Sequence, residues 1–170
     1  MDILWLLGIA IAACFLLVVL RGAPYVPTHA GWARRAVGLA PKQGTLVDLG
    51  SGDGVLLLAA AKSGRRALGI ELNPWLVLLS NLRLRRYPRV QVKLGDFWLQ
   101  QLPDDTSAVF VFLAGPFMNK LDQYLQREAR RLGRDVQLIS YGFRLPGHQI
   151  VREEGPLTLQ RIKASLQAGR

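Results

Sequence analysis

The chain is poor in the residues that build disulfide and metal sites. It has one cysteine, Cys14, and two histidines, His29 and His148, far apart in the sequence. One thiol excludes an internal disulfide framework. Isolated imidazoles without cysteine company give no metal-ligand spacing, so no metal is expected. Acids are also scarce: 12 Asp and Glu stand against 22 Lys and Arg, for a net charge of +10. Such a surface suits nucleic acid, anionic lipid or the cytoplasmic side of a membrane. There is no internal repeat and no low-complexity segment, and 170 residues leave room for one folded domain. Two nucleotide-binding signatures are missing as well. No Gly-Lys-Ser/Thr follows a glycine turn, and no G-x-G-x-x-G occurs at the turn described next.

What is present is Thr-Leu-Val-Asp-Leu-Gly-Ser-Gly-Asp-Gly at residues 45–54. An apolar run containing Asp48 leads into Gly50, Gly52 and Gly54, and an alanine-rich helical stretch, residues 55–62, follows. Strand, glycine turn and helix start form a geometry that lets a ligand approach the backbone. Residues 66–70 read as a second strand ending in Glu71, about twenty residues after the glycines, where an acid is placed for ribose hydroxyls. Asp48 would repel a pyrophosphate. It suits a ligand with a positive end, such as the ammonium of S-adenosylmethionine. Asp53 is placed either to cap the following helix or to approach the ligand.

Residues 3–20 carry no charge. As a helix they would span about 27 Å, close to the thickness of a hydrocarbon core. A cleaved signal peptide fits less well, because Asp2 precedes the run and no small-x-small site follows. Arg21, Arg34, Arg35 and Lys42 follow it, so the positive-inside rule puts the remainder on the cytoplasmic side. The expected organisation is an anchor over residues 1–21, a Pro-containing linker over 22–28 and a domain over 29–170. Cys14 would then be inert packing within the lipid.

Thr28 is the expected N-cap of a helix over 29–39, with Pro41 beyond its end. Asn73 and Pro74 open another, running to about Arg86. On it Leu76, Leu79 and Leu82 form an apolar face opposite Arg83. Arg83, Arg85, Arg86 and Arg89 form the densest basic cluster, suited to lipid, RNA, an acidic partner or plain solvation. Residues 90–94 alternate as a third strand and end at Gly95-Asp96-Phe97. Asp96 is placed to accept a hydrogen bond from an adenine amine and Phe97 to pack on its ring; a turn aspartate is the plainer alternative. Residues 109–113 read as the buried central strand, followed by Pro116 and Phe117 at its rim. The Asn/Asp-Pro-Pro-aromatic signature of base-directed amino methyltransferases is absent, so a nucleic-acid acceptor is not expected. Residues 119–132 form an amphipathic helix with Leu121, Leu125 and Leu132 inward and Asp122, Arg127, Glu128 and Arg131 outward. Strands follow at 136–140, 149–152 and 157–162, the last two as an antiparallel pair. The alternation predicts an α/β fold with a Rossmann-like, doubly wound, mostly parallel sheet.

Acid-x-G-x-G-x-G with an acid closing the second strand resembles the leading motifs of class I methyltransferases. The run Val47-Asp48-Leu49-Gly50-Ser51-Gly52-Asp53-Gly54, the block Gly69-Ile70-Glu71-Leu72-Asn73-Pro74-Trp75, Gly95-Asp96-Phe97-Trp98, the linker Tyr25-Val26-Pro27-Thr28 and the apolar leader together are more specific. They resemble the membrane-anchored lysine methyltransferases that modify the ATP synthase c-subunit and the adenine nucleotide translocase, which also have bacterial relatives. The resemblance implies S-adenosylmethionine as cofactor, held by Asp48, Gly50, Ser51, Gly52, Asp53, Gly54, Glu71, Leu72, Asn73, Asp96 and Phe97. It implies a lysine of a membrane protein as acceptor, with Pro116 and Phe117 shaping its path. No residue stands out as a catalytic base. A lipid, quinone or small-molecule acceptor, or a non-catalytic membrane adaptor that binds the nucleotide, are the competing readings.

Overall fold

The computed structural model describes residues 28–113 and 115–164, with residues 3, 5, 8 and 9. In chain order its elements are α1 (Ala30–Leu39), β1 (Thr45–Leu49), α2 (Val55–Lys62), β2 (Arg66–Glu71), α3 (Pro74–Leu84), β3 (Val90–Leu94), β4 (Thr106–Val111), α4 (Met118–Leu132), β5 (Val136–Tyr141), β6 (Gln149–Glu154) and β7 (Leu157–Ile162). Short 3-10 turns occur at Phe97–Leu99 and Gly115–Phe117.

The strands form one sheet in the order β3-β2-β1-β4-β5-β7-β6. β1 to β5 are parallel, and β7 runs antiparallel to both its neighbours. β1 is buried along its whole length. That follows from its place between β2 and β4, where both faces are covered. Alternate residues feed two cores. Val47, Leu49, Ile70, Val109 and Val111 face α4 through Leu121 and Leu125. Leu46, Ala108 and Phe110 face α1 and α2 through Ala33, Ala36, Leu57 and Ala60. The chain passes from β3 across the sheet to β4, so the strand order reverses between β1 and β4. Open α/β sheets bind ligands outside the carboxyl ends of the strands at such a point.

Several local expectations shift. The N-cap of α1 is His29 rather than Thr28, with no side-chain bond to the helix. β4 begins earlier, at Thr106, and ends at Val111, the last residue that pairs with β5. α3 stops at Leu84 because the chain turns there, with Tyr87 N–H donating to the Leu84 carbonyl. The α3 face expected to be buried is not: Leu79 and Leu82 are exposed, and the residues turned inward are Ser80 and Leu84. Glu128, expected outward on α4, is buried. Its carboxylate accepts from Leu102 N–H at 2.9 Å and from Arg131 Nε at 3.0 Å, which pins the loop before β4 to the helix. Between β5 and β6 no helix intervenes. Instead Leu145 enters the core, and its backbone exchanges two 2.8 Å hydrogen bonds with the Gln160 amide of β7. His148 in the same loop meets Asp122 of α4 at 2.6 Å.

No helix among the described residues is long and apolar enough to cross a membrane. The expected anchor and linker, residues 1–28, fall outside the described residues except at Ile3, Trp5, Gly8, Ile9 and Thr28.

Candidate active site

The three motif glycines all have positive φ: 80° at Gly50, 55° at Gly52 and 79° at Gly54. This left-handed backbone carries the chain from β1 back over the sheet into α2, and only glycine enters it without cost. The turn is held from both sides. Gly50 and Ser51 N–H both donate to the Ile70 carbonyl at the end of β2. Gly52 N–H donates to Glu71 Oε2 at 2.8 Å, and Ser80 Oγ of α3 donates to the Gly52 carbonyl at 2.9 Å. The amides of Gly50, Ser51, Gly52 and Gly54 are therefore engaged within the protein, not turned to a ligand as the motif alone suggests. What the turn offers is room. Gly50 is exposed, and a Cβ placed there would meet nothing within 4 Å.

Glu71 closes β2 and is buried. Its second oxygen, Oε1, accepts Asn73 N–H at 2.8 Å. One carboxylate thus joins the glycine turn to the start of α3, and each oxygen keeps a further lone-pair direction for a hydroxyl donor. Asn73 is the N-cap of α3 as expected, its side chain accepting Trp75 N–H at 3.0 Å. Leu72 lies half-buried between these two residues. Asp53 does not cap α2, whose N-cap is Gly54 with no side-chain bond. It pairs instead with Arg83 of α3 at 2.7 Å, and the same guanidinium nitrogen donates to the Asp53 carbonyl. Arg83 is thereby withdrawn from the basic cluster.

Asp48 is buried between Gly69 of β2 and Phe110 of β4. Burial, with Glu71 and Asp53 nearby, pushes its carboxyl up to about 8. Ser51 is also buried, and its hydroxyl has no hydrogen-bond partner. Gly69 makes this packing possible, because a Cβ there would lie 2.5 Å from Ser51 Oγ and 2.6 Å from Leu57.

At the end of β3, Gly95 N–H donates to the Glu71 carbonyl at 2.8 Å, setting the two acid-bearing strand ends side by side. Asp96 caps the Phe97–Leu99 turn by accepting Trp98 N–H at 3.0 Å. Phe97 packs on Trp98, ring centroids 4.3 Å apart, and edge-on to Tyr124 at 6.4 Å. Trp98 lies 6.4 Å from Phe117, with Lys120 Nζ 4.4 Å above its ring. These aromatics connect the β3 rim to the β4 rim. Pro116 is exposed there and Phe117 half-buried. Every residue expected at the site lies at this carboxyl edge. Ser80, Arg83, Trp98 and Lys120 join it without being expected there. Only Trp98 carries a local signal, its adjacency to Asp96 and Phe97.

The arrangement fits an adenosyl ligand with a cationic end. Four acids of a chain that has only 12 gather at one edge: Asp48, Asp53, Glu71 and Asp96. With its carboxyl raised to about 8, Asp48 would have its ionised form favoured by a cation arriving at this edge. A cavity lined by Lys42, Arg65, Arg66, Arg89 and Asp105 lies at the opposite, amino edge. It plays no part in this site.

Over 143 residues, 81% of this chain and 60% of the relative, the sequence is 36% identical to the ATP synthase c-subunit lysine N-methyltransferase of Homo sapiens. It is 39% identical over 137 residues to the adenine nucleotide translocase lysine N-methyltransferase of Mus musculus, covering 78% of this chain and 58% of that one. Thus it matches 60% or less of the length of these two relatives. Among solved structures, an RNA methyltransferase from Salinibacter ruber in complex with S-adenosyl-L-homocysteine superposes with a TM-score of 0.68 at 24% identity, over 85% of this chain and 98% of that chain. That likeness fixes the fold as the Rossmann-like sheet of class I methyltransferases. The ANTKMT methyltransferase domain model matches residues 48–152, a span that opens at Asp48 and takes in the glycine turn, Glu71, Asp96 and the Phe117 rim. By that match and by its likeness to the two lysine methyltransferases, the chain belongs to the ANTKMT methyltransferase domain family.

Proposed function

We propose that the chain is an S-adenosylmethionine-dependent methyltransferase acting on a lysine of a membrane protein. The observation that carries this reading is the carboxyl edge itself: an open glycine turn strapped to Glu71, with Asp96 adjacent and Asp48 beneath. In this reading Glu71 accepts the ribose hydroxyls through the lone pairs its two amide partners leave. Asp96 and Phe97 hold the adenine, and Asp48 receives the ammonium. The bound cofactor supplies an electrophilic methyl group. The chain supplies position, which carries most of the catalysis in an in-line displacement.

The acceptor lysine must arrive neutral, although its solution pKa is about 10.4. Leaving water for the aromatic rim of Trp98 and Phe117 favours the neutral amine, so no dedicated base is required. Pro116 and Phe117 border its path. Support for a membrane-protein acceptor comes from the relatives, named for the ATP synthase c-subunit and the adenine nucleotide translocase. The uncharged run at residues 3–20 supports a single-pass anchor, with the domain on the cytoplasmic side.

Calorimetry on the full chain in detergent micelles, with S-adenosylmethionine, S-adenosylhomocysteine and NAD, tests the cofactor. Binding of both adenosyl ligands, lost in Glu71→Ala, is expected. Binding of NAD alone would overturn the reading. Incubating the enzyme with native membranes and methyl-labelled cofactor then tests the acceptor. Label on lysine of a membrane protein supports it, and label extracted into organic solvent assigns a lipid or quinone instead.

A further inference from the structure

On α3 the exposed residues form one stripe. Trp75, Leu78, Leu79 and Leu82 occupy positions i, i+3, i+4 and i+7, and they are 59%, 62%, 44% and 60% exposed. Surface helices of globular domains turn such a stripe inward. Here the inward positions are taken by Ser80, bonded to the glycine turn, and Leu84. Just past the carboxyl end of α3, in the turn that closes it, come Arg85 and Arg86, with Arg89 a little further on; all three are exposed. Leu94, at the end of the neighbouring edge strand β3, and Leu99 beyond it are 58% and 79% exposed.

We propose that this face of α3 is a docking surface for an anionic bilayer, seating the active site against the headgroups. A tryptophan and three leucines backed by arginines are the composition of a helix lying in the interface plane. Tryptophan is enriched at headgroup depth, and arginines are drawn to an anionic surface. Charge complementarity favours this occupant, since the chain carries a net +10 and the arginines cluster at one end of the stripe. Four side chains along a helix of 11 residues fall short of the ~800 Å² per partner that a stable protein interface buries, so a second copy is the poorer occupant. The N-cap of α3 is Asn73, whose N–H is held by Glu71. A bilayer against this helix would therefore lie beside the cofactor site. The docking does not depend on methyl transfer, so failure of cofactor binding leaves it standing.

The test uses the full chain with Cys14→Ser and an environment-sensitive NBD fluorophore on Leu78→Cys or Leu82→Cys, with Gln123→Cys on α4 as the control. The probe is phosphatidylcholine vesicles containing roughly one third phosphatidylglycerol, a strongly anionic surface. The expected result is a blue shift and brightening at positions 78 and 82 but not at 123. The change should be largely lost in pure phosphatidylcholine and in the Arg85→Gln, Arg86→Gln, Arg89→Gln triple variant. Labels at 78 and 82 that stay water-like while the chain floats with the vesicles would overturn the proposal. An equal shift at 123, or an equal shift on pure phosphatidylcholine, would do the same. So would a shift that appears without lipid and grows with protein concentration, the mark of self-association.

Discussion

Held between Gly69 and Phe110, Asp48 stays protonated until about pH 8. The sign of its effect on stability follows. An acid whose folded pKa is raised binds a proton that the unfolded chain releases, so stability falls as pH rises from the ordinary value of 3.8 toward 8. Asp48→Asn keeps the neutral shape and removes the titration. Relative to the parent, the variant is expected to gain a few kcal/mol between pH 4 and pH 8 in urea unfolding. Equal differences at both pH values would refute the burial argument. A ligand ammonium at Asp48 reverses the balance, because it requires the ionised form. Binding of the adenosyl ligand should therefore tighten from pH 6 to pH 8 and release a proton, read by calorimetry in two buffers of different ionisation enthalpy. No net proton release at pH 7 would separate Asp48 from the ligand. The identity of Asp48, Glu71 and Asp96 is readable in the sequence because Asp48 interrupts an apolar run, Glu71 ends one and Asp96 follows an alternating strand. Their protonation and partners are not, because these depend on contacts between strands distant in sequence.

At the scale of elements, the glycine turn and α3 behave as one piece. Gly54 sits at φ 79°, and a Cβ there would lie 2.7 Å from Ser80 Oγ. Gly54→Ala should cost about 1–3 kcal/mol in thermal unfolding and loosen the Ser80 bond to Gly52. A variant as stable as the parent would show that α3 can move aside. α4 is pinned by Glu128. Glu128→Ala would leave the buried Leu102 N–H without its acceptor while Arg131 keeps Asp104, a loss of about 1–3 kcal/mol by chemical denaturation. A loss under about 1 kcal/mol would mean that the network contributes little. Helical periodicity puts Glu128 outside and Leu79 and Leu82 inside, and both assignments fail for one reason. Periodicity finds the apolar stripe of a helix but not what covers it. In α4 a loop folds over the polar side and buries a charge. In α3 the apolar side faces out, while a serine packs inward to serve the turn. The caps that start and stop these helices are local: Asn73 is legible as the N-cap of α3, and Gly133 is the C-cap of α4, while α2 ends at Ser63 with Gly64 just beyond it.

For the molecule as a whole, alternation of strand and helix is enough to predict the doubly wound sheet. It does not predict the crossover between β5 and β6, where Leu145 and Gln160 replace a helix. That loop has no periodicity, and its fully buried anchor, Leu145, is indistinguishable in sequence from an exposed leucine.

The strand order leaves β6 as an outer edge, exposed along nearly its whole length and kinked by a register shift between Ile150 and Arg152. An open edge is a template for another chain. Arg152, Glu153 and Glu154, in ion pairs with one another and with Arg35 and Arg144, make that edge a poor template. Arg152→Val with Glu154→Val should convert a dispersed protein into one that scatters light on standing. An unchanged scattering curve would assign the protection to the kink alone. The charges matter little to the fold's stability; they act as a guard against polymerisation, keeping neighbouring copies from zipping edge to edge into fibres.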